Sequence, residues 1–554
     1  MNRIIKKLAI FISMILLTAL SAALSSLAFP GMFSENGYGL LIFIAYIPVF
    51  FIIDKSSYRT IWLYGLEYGF IFYLIYNYWL KTFHPLAILI APVLESFQYA
   101  LLFTVLKTAQ SVFRRKYGYI IQSIMLTAYY YLTLQGFLGY PYGTPSSALY
   151  LYPILLQSAS AFGLWLITLI IIMPQAMAAE MIAKRKLYKK DLIIYLAAFA
   201  INMLYGAYSM HSYNEREEDR TIKIAAVQHS ADSWQGGYQT YKNNFETLSR
   251  LSMDAMNENP DFVVWSETAF VPSVRWHQAY PSSRITSRLV EDFVSFGKNL
   301  GVPLITGNPE GLIKDNTLPA FLPDGSWNWK TYNTVILFGD GDVLGTYRKQ
   351  RLVPFTEHFP YEKQFPKLYE LLLANDYKWW EEGEEMTVFQ YDGISFSTPI
   401  CFEDTFGYLS AGFVKNGADI LINLTNDSWS GSVEAEMQHM QLAAMRAIET
   451  RRPLLRSTNS GITCLITADG KIHNMLQPFT EAYGIYDIPI GKYKGETFYV
   501  KHPDLLAKLM LFILPIIYAS AIAYNIKKKR EEKIAIQLER YNAMFESIAE
   551  EAEC

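Results

Sequence analysis

Apolar residues along the chain fall into two regimes. From Leu8 to Phe29 no charge interrupts the sequence, a run long enough to cross a hydrocarbon core of about 30 Å at about 1.5 Å per helical residue. Further apolar stretches occupy roughly 36–53, 60–80, 86–106, 119–138, 155–178, 192–210 and 504–525. This pattern predicts eight membrane-spanning helices, seven before a long polar block and one after it. The second is the least regular, since Pro48 lies inside it and Asp54 ends it.

The connecting loops test this count, because Lys and Arg accumulate in short loops on the cytoplasmic side. The N-terminus carries Arg3, Lys6 and Lys7, the loop around 30–38 carries no basic residue, and the next carries Lys55 and Arg59. The alternation continues with Lys81 alone in 81–85, Lys107, Arg114, Arg115 and Lys116 in 107–118, none in 139–154, and Lys184, Arg185, Lys186, Lys189 and Lys190 in 184–190. Lys527 to Arg530 follow the last span. Both termini are therefore expected in the cytoplasm, and by parity the polar block lies outside it. A cleaved signal peptide is the alternative reading of the start, with Ala22, Ala23 and Ala28 as small residues near its end. Its apolar region is longer than the roughly 7–15 residues such a peptide has.

The polar block follows a different period. Short β-rich runs at Ile222–Val227, Phe262–Trp265, Val302–Thr306, Thr334–Phe338, Ile394–Ile400 and Ile420–Leu424 alternate with helical patterns at 241–256, 284–300 and 434–450. Such alternation predicts an α/β domain, and the near-continuous apolar strands imply sheets covered on both faces. The expected divisions are a membrane region over 1–214, an α/β domain over 215–500, an eighth span over 501–526 and a solvated helical tail over 527–554.

Composition sharpens the picture. The 554 residues are 51% hydrophobic and 18% charged, against about 45–50% and about 25% in ordinary soluble domains. That excess is what the spans require. A formal net charge of −3 supplies no global positive field for nucleic acid. Three cysteines, Cys401, Cys464 and Cys554, are too few and too scattered for a disulfide framework or a Cys-rich metal site, so any thiol chemistry rests on one residue.

Candidate chemistry lies at strand ends. Cys401 follows an apolar strand where an acidic stretch begins, and a helix starting there would favour its thiolate. The commoner fate of a lone cysteine is a buried structural thiol. Glu267 ends the run Val263–Trp265, where a carboxylate raised by burial could take a proton, although a solvated loop glutamate is the more ordinary reading. Lys349 follows a hairpin built on Gly339 to Asp342; it reads as part of a solvated basic face or, beside a cysteine, as a stabiliser of oxyanion and thiolate. The clusters Asn423–Trp429 and Arg456–Gly461 read first as turns. No histidine pattern suggests a metal, and His439 reads as a packed helix residue. Glu67 and Glu95 lie at membrane depth and need a cavity or a partner, Lys81 or a neighbouring helix being the simplest.

Glu267, Lys349 and Cys401, in that order and each after a strand, resemble the Glu-Lys-Cys triad of the nitrilase (carbon–nitrogen hydrolase) superfamily. The spans around such a domain resemble one branch, the apolipoprotein N-acyltransferases. Val353–Pro360, Asn423–Trp429, Gln438–Glu449 and Arg456–Gly461 look like that family's motifs. Thr356 stands where the family usually has Gly and Ser430 where Phe is typical, departures expected at the floor and lid of an acyl pocket. Lys367–Glu385, with Trp379 and Trp380, looks individual to this chain.

The resemblance implies an αββα sandwich and a two-step acyl transfer through a Cys401 thioester. The acyl group comes from a membrane phospholipid and goes to the α-amino group of a diacylglyceryl-modified lipoprotein cysteine. Glu267 would be the base and Lys349 the oxyanion partner. Glu357 would be a second supporting carboxylate, Phe402 and Glu403 would flank the nucleophile, and Trp234 would be a lid or substrate-contact residue. The resemblance further implies a monomer in a bacterial inner membrane with the catalytic domain on the periplasmic face, needing neither metal nor cofactor. Tyr140, Tyr142, Tyr150 and Tyr152 would suit an interfacial belt. The competing readings are a membrane-anchored amidase that passes its acyl group to water, and a transporter or receptor whose α/β domain only binds a ligand.

Overall fold

The computed structural model describes residues 2–83, 85–113, 118–282, 284–374 and 379–553. The expected cytoplasmic charges Arg114, Arg115 and Lys116, and Cys554, lie outside the described residues. Among the described residues, five helices are long and apolar enough to cross a bilayer: Ile4–Leu27, Ala87–Val112, Leu164–Lys184, Lys189–Asn214 and Leu505–Met544. The other three expected spans are shorter. Ile61–Tyr76 and Gly118–Leu132 are single helices. The run containing Pro48 breaks into a 3-10 helix, Gly39–Phe43, and a helix, Ile47–Lys55, with the proline in its first turn, where its missing N–H costs nothing.

The helices pack as membrane helices do, with large apolar residues outward. Leu89, Ile90, Leu94, Phe97 and Leu101 are exposed along Ala87–Val112, as are Ile193, Ile194, Leu204 and Tyr208 along Lys189–Asn214. Close approach comes from small residues. Gly65 and Gly69 on Ile61–Tyr76 lie against Tyr99 and Ser96, and a Cβ at Gly69 would stand 2.8 Å from the Ser96 Cα.

The loops sort to opposite ends of this bundle. At one end the Lys55 Nζ donates to the Ala183 carbonyl at 2.9 Å, Lys107 to Ile53 at 2.6 Å, and Tyr119 to Asp191 at 3.0 Å. At the other end the loops without basic clusters meet the α/β domain. Gln438 donates to Pro30 at 2.8 Å and Tyr76 at 3.0 Å, Trp79 packs edge-on to Trp429, and Arg351 donates to the Gly136 carbonyl at 2.5 Å. Tyr140 and Tyr150 do not form an exposed belt: their hydroxyls bond Asn77 and Asn36, because this end of the bundle is covered by protein.

The α/β domain holds two six-stranded sheets. The first runs in the order Ala482–Ile490, Arg220–Gln228, Phe262–Val264, Leu304–Gly307, Thr334–Gly339, Asp342–Arg348. The second runs Ile472–His473, Cys464–Ile466, Leu454–Thr458, Ile420–Thr425, Ile394–Ser397, Phe389–Tyr391. Their inner faces meet through Ile222, Ile224, Phe262, Phe396 and Ile422. Helices Tyr238–Ala255 and Ile285–Leu300 cover the first sheet around Trp265 and Phe293. Helices Gly407–Lys415 and Val433–Thr450 form the other outer layer, so the domain is an αββα sandwich. Val433–Thr450 is buried from Ala435 to Thr450, since the membrane helices cover the face that would otherwise meet water. The tail continues the last helix without a break from Leu505 to Glu553.

Candidate active site

Glu267 leaves the first sheet just past the strand Phe262–Val264, where Trp265 still donates to Ile305 at 2.8 Å. The chain turns at Thr268, φ 47°. Gly307 lies directly beneath this turn, where a Cβ would stand 2.7 Å from the Glu267 Cα. Glu267 is 6% exposed. Its Oε1 accepts from Asn333 Nδ2 at 2.7 Å and Lys349 Nζ at 3.2 Å, and its Oε2 from the Asn426 backbone N–H at 3.0 Å. Burial raises its pKa, opposed by the Lys349 cation and reinforced by Glu357.

Lys349 immediately follows the second strand of a hairpin whose turn residues, Asp340 and Gly341, both have positive φ. It is 1% exposed. Its Nζ also donates to Glu357 Oε1 at 2.8 Å, and Asn333 Nδ2 reaches the same oxygen at 3.0 Å. Burial alone would lower the lysine pKa, but Glu267, Glu357 and Cys401 together hold it well above its ordinary value. A basic run readable as a solvated face therefore delivers one buried cation between two carboxylates.

Cys401 is half-buried and sits at φ 49°, an uncommon conformation for a residue with a Cβ. It begins a single 3-10 turn, Cys401–Thr405. Glu403 fixes this turn. Its carboxylate accepts from the Ile400 N–H at 2.8 Å, the Gln350 N–H at 2.7 Å, the Arg351 N–H at 3.0 Å and the Tyr347 hydroxyl at 2.9 Å. Glu403 thus ties the end of the lysine strand to the nucleophile turn, and being fully buried it acts on backbone. What starts at Cys401 is this single 3-10 turn rather than the helix expected to favour a thiolate. Burial and Glu267 push its pKa well above the ordinary thiol value, with Asp427 and Glu357 adding to this and Lys349 opposing it.

Phe402 packs edge-on against Phe406 at 4.9 Å. Trp234 is 63% exposed on a loop tied down by its neighbours: Ser233 donates to Asn426 Oδ1 at 2.9 Å, and Ala231 donates to Asn459 Oδ1 at 2.8 Å. The membrane region reaches the site as well. Burial first of all, and then the Asp427 carboxylate, hold the Tyr142 hydroxyl well above its ordinary pKa.

Comparison with known proteins bears on the whole chain. Residues 223–495 match the carbon-nitrogen hydrolase family, and residues 21–177 match the apolipoprotein N-acyltransferase N-terminal domain. Apolipoprotein N-acyltransferase 1 of Treponema denticola is 36% identical over 545 residues, covering 95% of this chain and 99% of that protein. The chain belongs to the apolipoprotein N-acyltransferase family. Its relatives in that family include apolipoprotein N-acyltransferase 1 of Treponema pallidum, 34% identical over 86% of this chain and 89% of that one. The apolipoprotein N-acyltransferase of Borreliella burgdorferi is 28% identical over 84% and 88% respectively.

Within that family frame, some residues were invisible as sequence. Asn333 bridges the Glu267 and Glu357 carboxylates from an unremarkable position before a strand. The segment after Trp379, which looked individual, holds the site by backbone: Trp380 donates to the Glu357 carbonyl at 2.9 Å and Gly383 to the Lys349 carbonyl at 2.8 Å. The two departures lie apart. Ser430 is buried with its hydroxyl donating to Glu436 at 3.0 Å, whereas Thr356 is exposed in the loop between Lys349 and Glu357. Glu95 accepts from Gln98 at 2.9 Å, while the Lys81 Nζ lies over the Tyr78 ring.

Proposed function

We propose that this chain moves an acyl group from a membrane phospholipid, through a thioester on Cys401, to the α-amino group of a lipoprotein's N-terminal diacylglyceryl-cysteine. The observation that carries this reading is the buried Glu267–Lys349–Glu357 cluster, with Cys401 on a turn that Glu403 ties to the end of the lysine strand, in a member of this family. Glu267 takes the thiol proton as sulfur attacks the ester carbonyl. The Lys349 cation, with a backbone N–H near Cys401, receives the oxyanion. As the carbon–oxygen bond breaks, Glu267 returns the proton to the departing lysophospholipid oxygen. The amine then attacks the thioester, a carbon–nitrogen bond replaces the carbon–sulfur bond, and Glu267 relays the amine proton to sulfur.

In this reading the chain crosses the membrane eight times, with residues 1–214 as the first seven helices, 215–500 as the catalytic domain, 501–526 as the eighth helix and 527–554 as the tail. The catalytic domain is extracytoplasmic, both termini are cytoplasmic, and the protein acts as a monomer. The separation of basic and non-basic loops to opposite ends of the bundle supports this orientation.

Incubating the purified protein with a phospholipid should add one acyl mass to the intact chain, removable by hydroxylamine and absent in Cys401→Ala. Acylation that survives Cys401→Ala, or none in the wild type, would refute the mechanism. Release of free fatty acid with no acylated diacylglyceryl-peptide would transfer the chain to the water-using reading.

A further inference from the structure

The helix Val433–Thr450 carries His439 into the space behind the site, where both ring nitrogens meet carboxylates. Nδ1 lies 2.8 Å from Asp427 Oδ2 and Nε2 lies 2.9 Å from Asp404 Oδ1. Arg456, from the strand Leu454–Thr458, pairs with the same two residues, its Nη1 with Asp404 and its Nη2 with Asp427 at 3.5 Å. All four side chains are buried.

The two aspartates belong to the two segments that form the site. Asp404 lies in the turn Cys401–Thr405. Asp427 follows Asn426, whose backbone N–H donates to Glu267 Oε2. A displacement of Asp427 would carry that N–H away from the base, and a displacement of Asp404 would turn the nucleophile. We infer that His439 is a positioning residue for the acyl transfer, clamping the nucleophile turn to the loop that holds the base. This rests on the function proposed above.

The clamp depends on charge. A neutral imidazole donates through one nitrogen only, whereas two ionised carboxylates call for two donors. The groups facing His439 are Asp404, Asp427 and Arg456 from three other segments and Glu436 from its own helix. Burial alone would lower its pKa, but Asp427 and then Asp404 raise it to about 9.

The test uses the full chain in phospholipid vesicles, with H439Q, H439N and H439L. A Gln amide stands near the position of Nε2 and an Asn amide near Nδ1, so each keeps one arm of the clamp, while Leu fills the space and keeps neither. We expect kcat for thioester formation to fall ~10-fold in H439Q and H439N and ~100-fold in H439L, with the phospholipid KM within about twofold of wild type. The wild-type kcat should also decline as pH rises through about 9. An H439L kcat near wild type, or Gln and Asn variants no better than Leu, would overturn the inference. Should the variants fail to fold, the wild-type profile decides alone, and a kcat level to pH 10 overturns it. A wild type that forms no Cys401 thioester defeats the underlying function instead, a result distinguishable from a thioester that forms regardless of residue 439.

Discussion

Glu267 shows how much one carboxylate is asked to do. It accepts hydrogen bonds from a side-chain amide, an ammonium and a backbone N–H, yet burial still raises its pKa, which suits a proton acceptor for a neutral thiol. Glu267→Gln keeps the size and loses the base. Thioester formation should fall by about 10²–10⁴-fold, measured as the initial rate of acyl mass gain, with little change in phospholipid KM; a loss under tenfold would assign the proton transfer elsewhere. His439 gives a pH dependence of stability whose sign can be worked out. Its folded pKa of about 9 exceeds the ordinary histidine value of about 6.5, so its contribution is complete below about 6.5 and is lost as pH rises through about 9. Melting temperatures between pH 7 and 10 should show this decline in the wild type and lack it in H439Q. At this scale the sequence was partly legible. Glu267 and Cys401 close apolar strands, but each reads alone as ordinary, and Lys349 as part of a solvated basic face; only their order together, by resemblance, marks them as one site. Asn333 and the backbone of Gly383 carry no such mark, since nothing in their neighbours signals which distant carboxylate or carbonyl they will meet.

The elements were legible where their period was unbroken. Helices expected over 284–300 and 434–450 form at Ile285–Leu300 and Val433–Thr450. What the period could not convey is that the second of these has no solvent face. Its charged residues Glu436, Arg446 and Glu449 are buried with the rest, so a histidine that read as ordinary packing became part of a charge cluster. The same helix ends at Arg451, at φ 55°, whose guanidinium donates to Gln157 Oε1 at 2.5 Å, to the Ala468 carbonyl at 3.1 Å and to Ser209 at 2.8 Å. This residue ties the sandwich to Gln157 and to the helix Lys189–Asn214 of the membrane region. Arg451→Gly suits the left-handed backbone and removes the anchor together with the bond to Ala468, leaving buried acceptors that each cost about 1–3 kcal/mol when unpaired. We expect a clearly lower melting temperature in detergent; an unchanged one would show that the docking does not depend on Arg451.

At the scale of the whole molecule, five of the eight expected spans are helices long and apolar enough to cross a bilayer among the described residues, and the proposed orientation rests on the alternation of basic loops. Short or broken helices such as Ile47–Lys55 and Ile61–Tyr76 blur any count made from length, but the loops that join them still segregate. Topology is directly measurable: a cysteine placed at Asp324 should react with a membrane-impermeant maleimide in spheroplasts, whereas one at Lys186 should react only after lysis. The reverse pattern would invert the proposed orientation.

The seam that Arg451, Gln438, Trp79 and Arg351 make between bundle and sandwich also works as a ruler. In the proposed orientation, with the sandwich joined to the bundle on both sides of its sequence, after Asn214 and before Leu505, that seam would hold the sulfur of Cys401 at one altitude above the bilayer. Donor and acceptor must each bring their reacting atom to that altitude. A phospholipid ester does so because its glycerol floats at the surface, and a lipidated cysteine does so because its own chains suspend the amine there. A peptide lacking those chains would have to find the same height unaided, so in the proposed reading selectivity for lipidated acceptors would follow from geometry before any side chain reads the peptide.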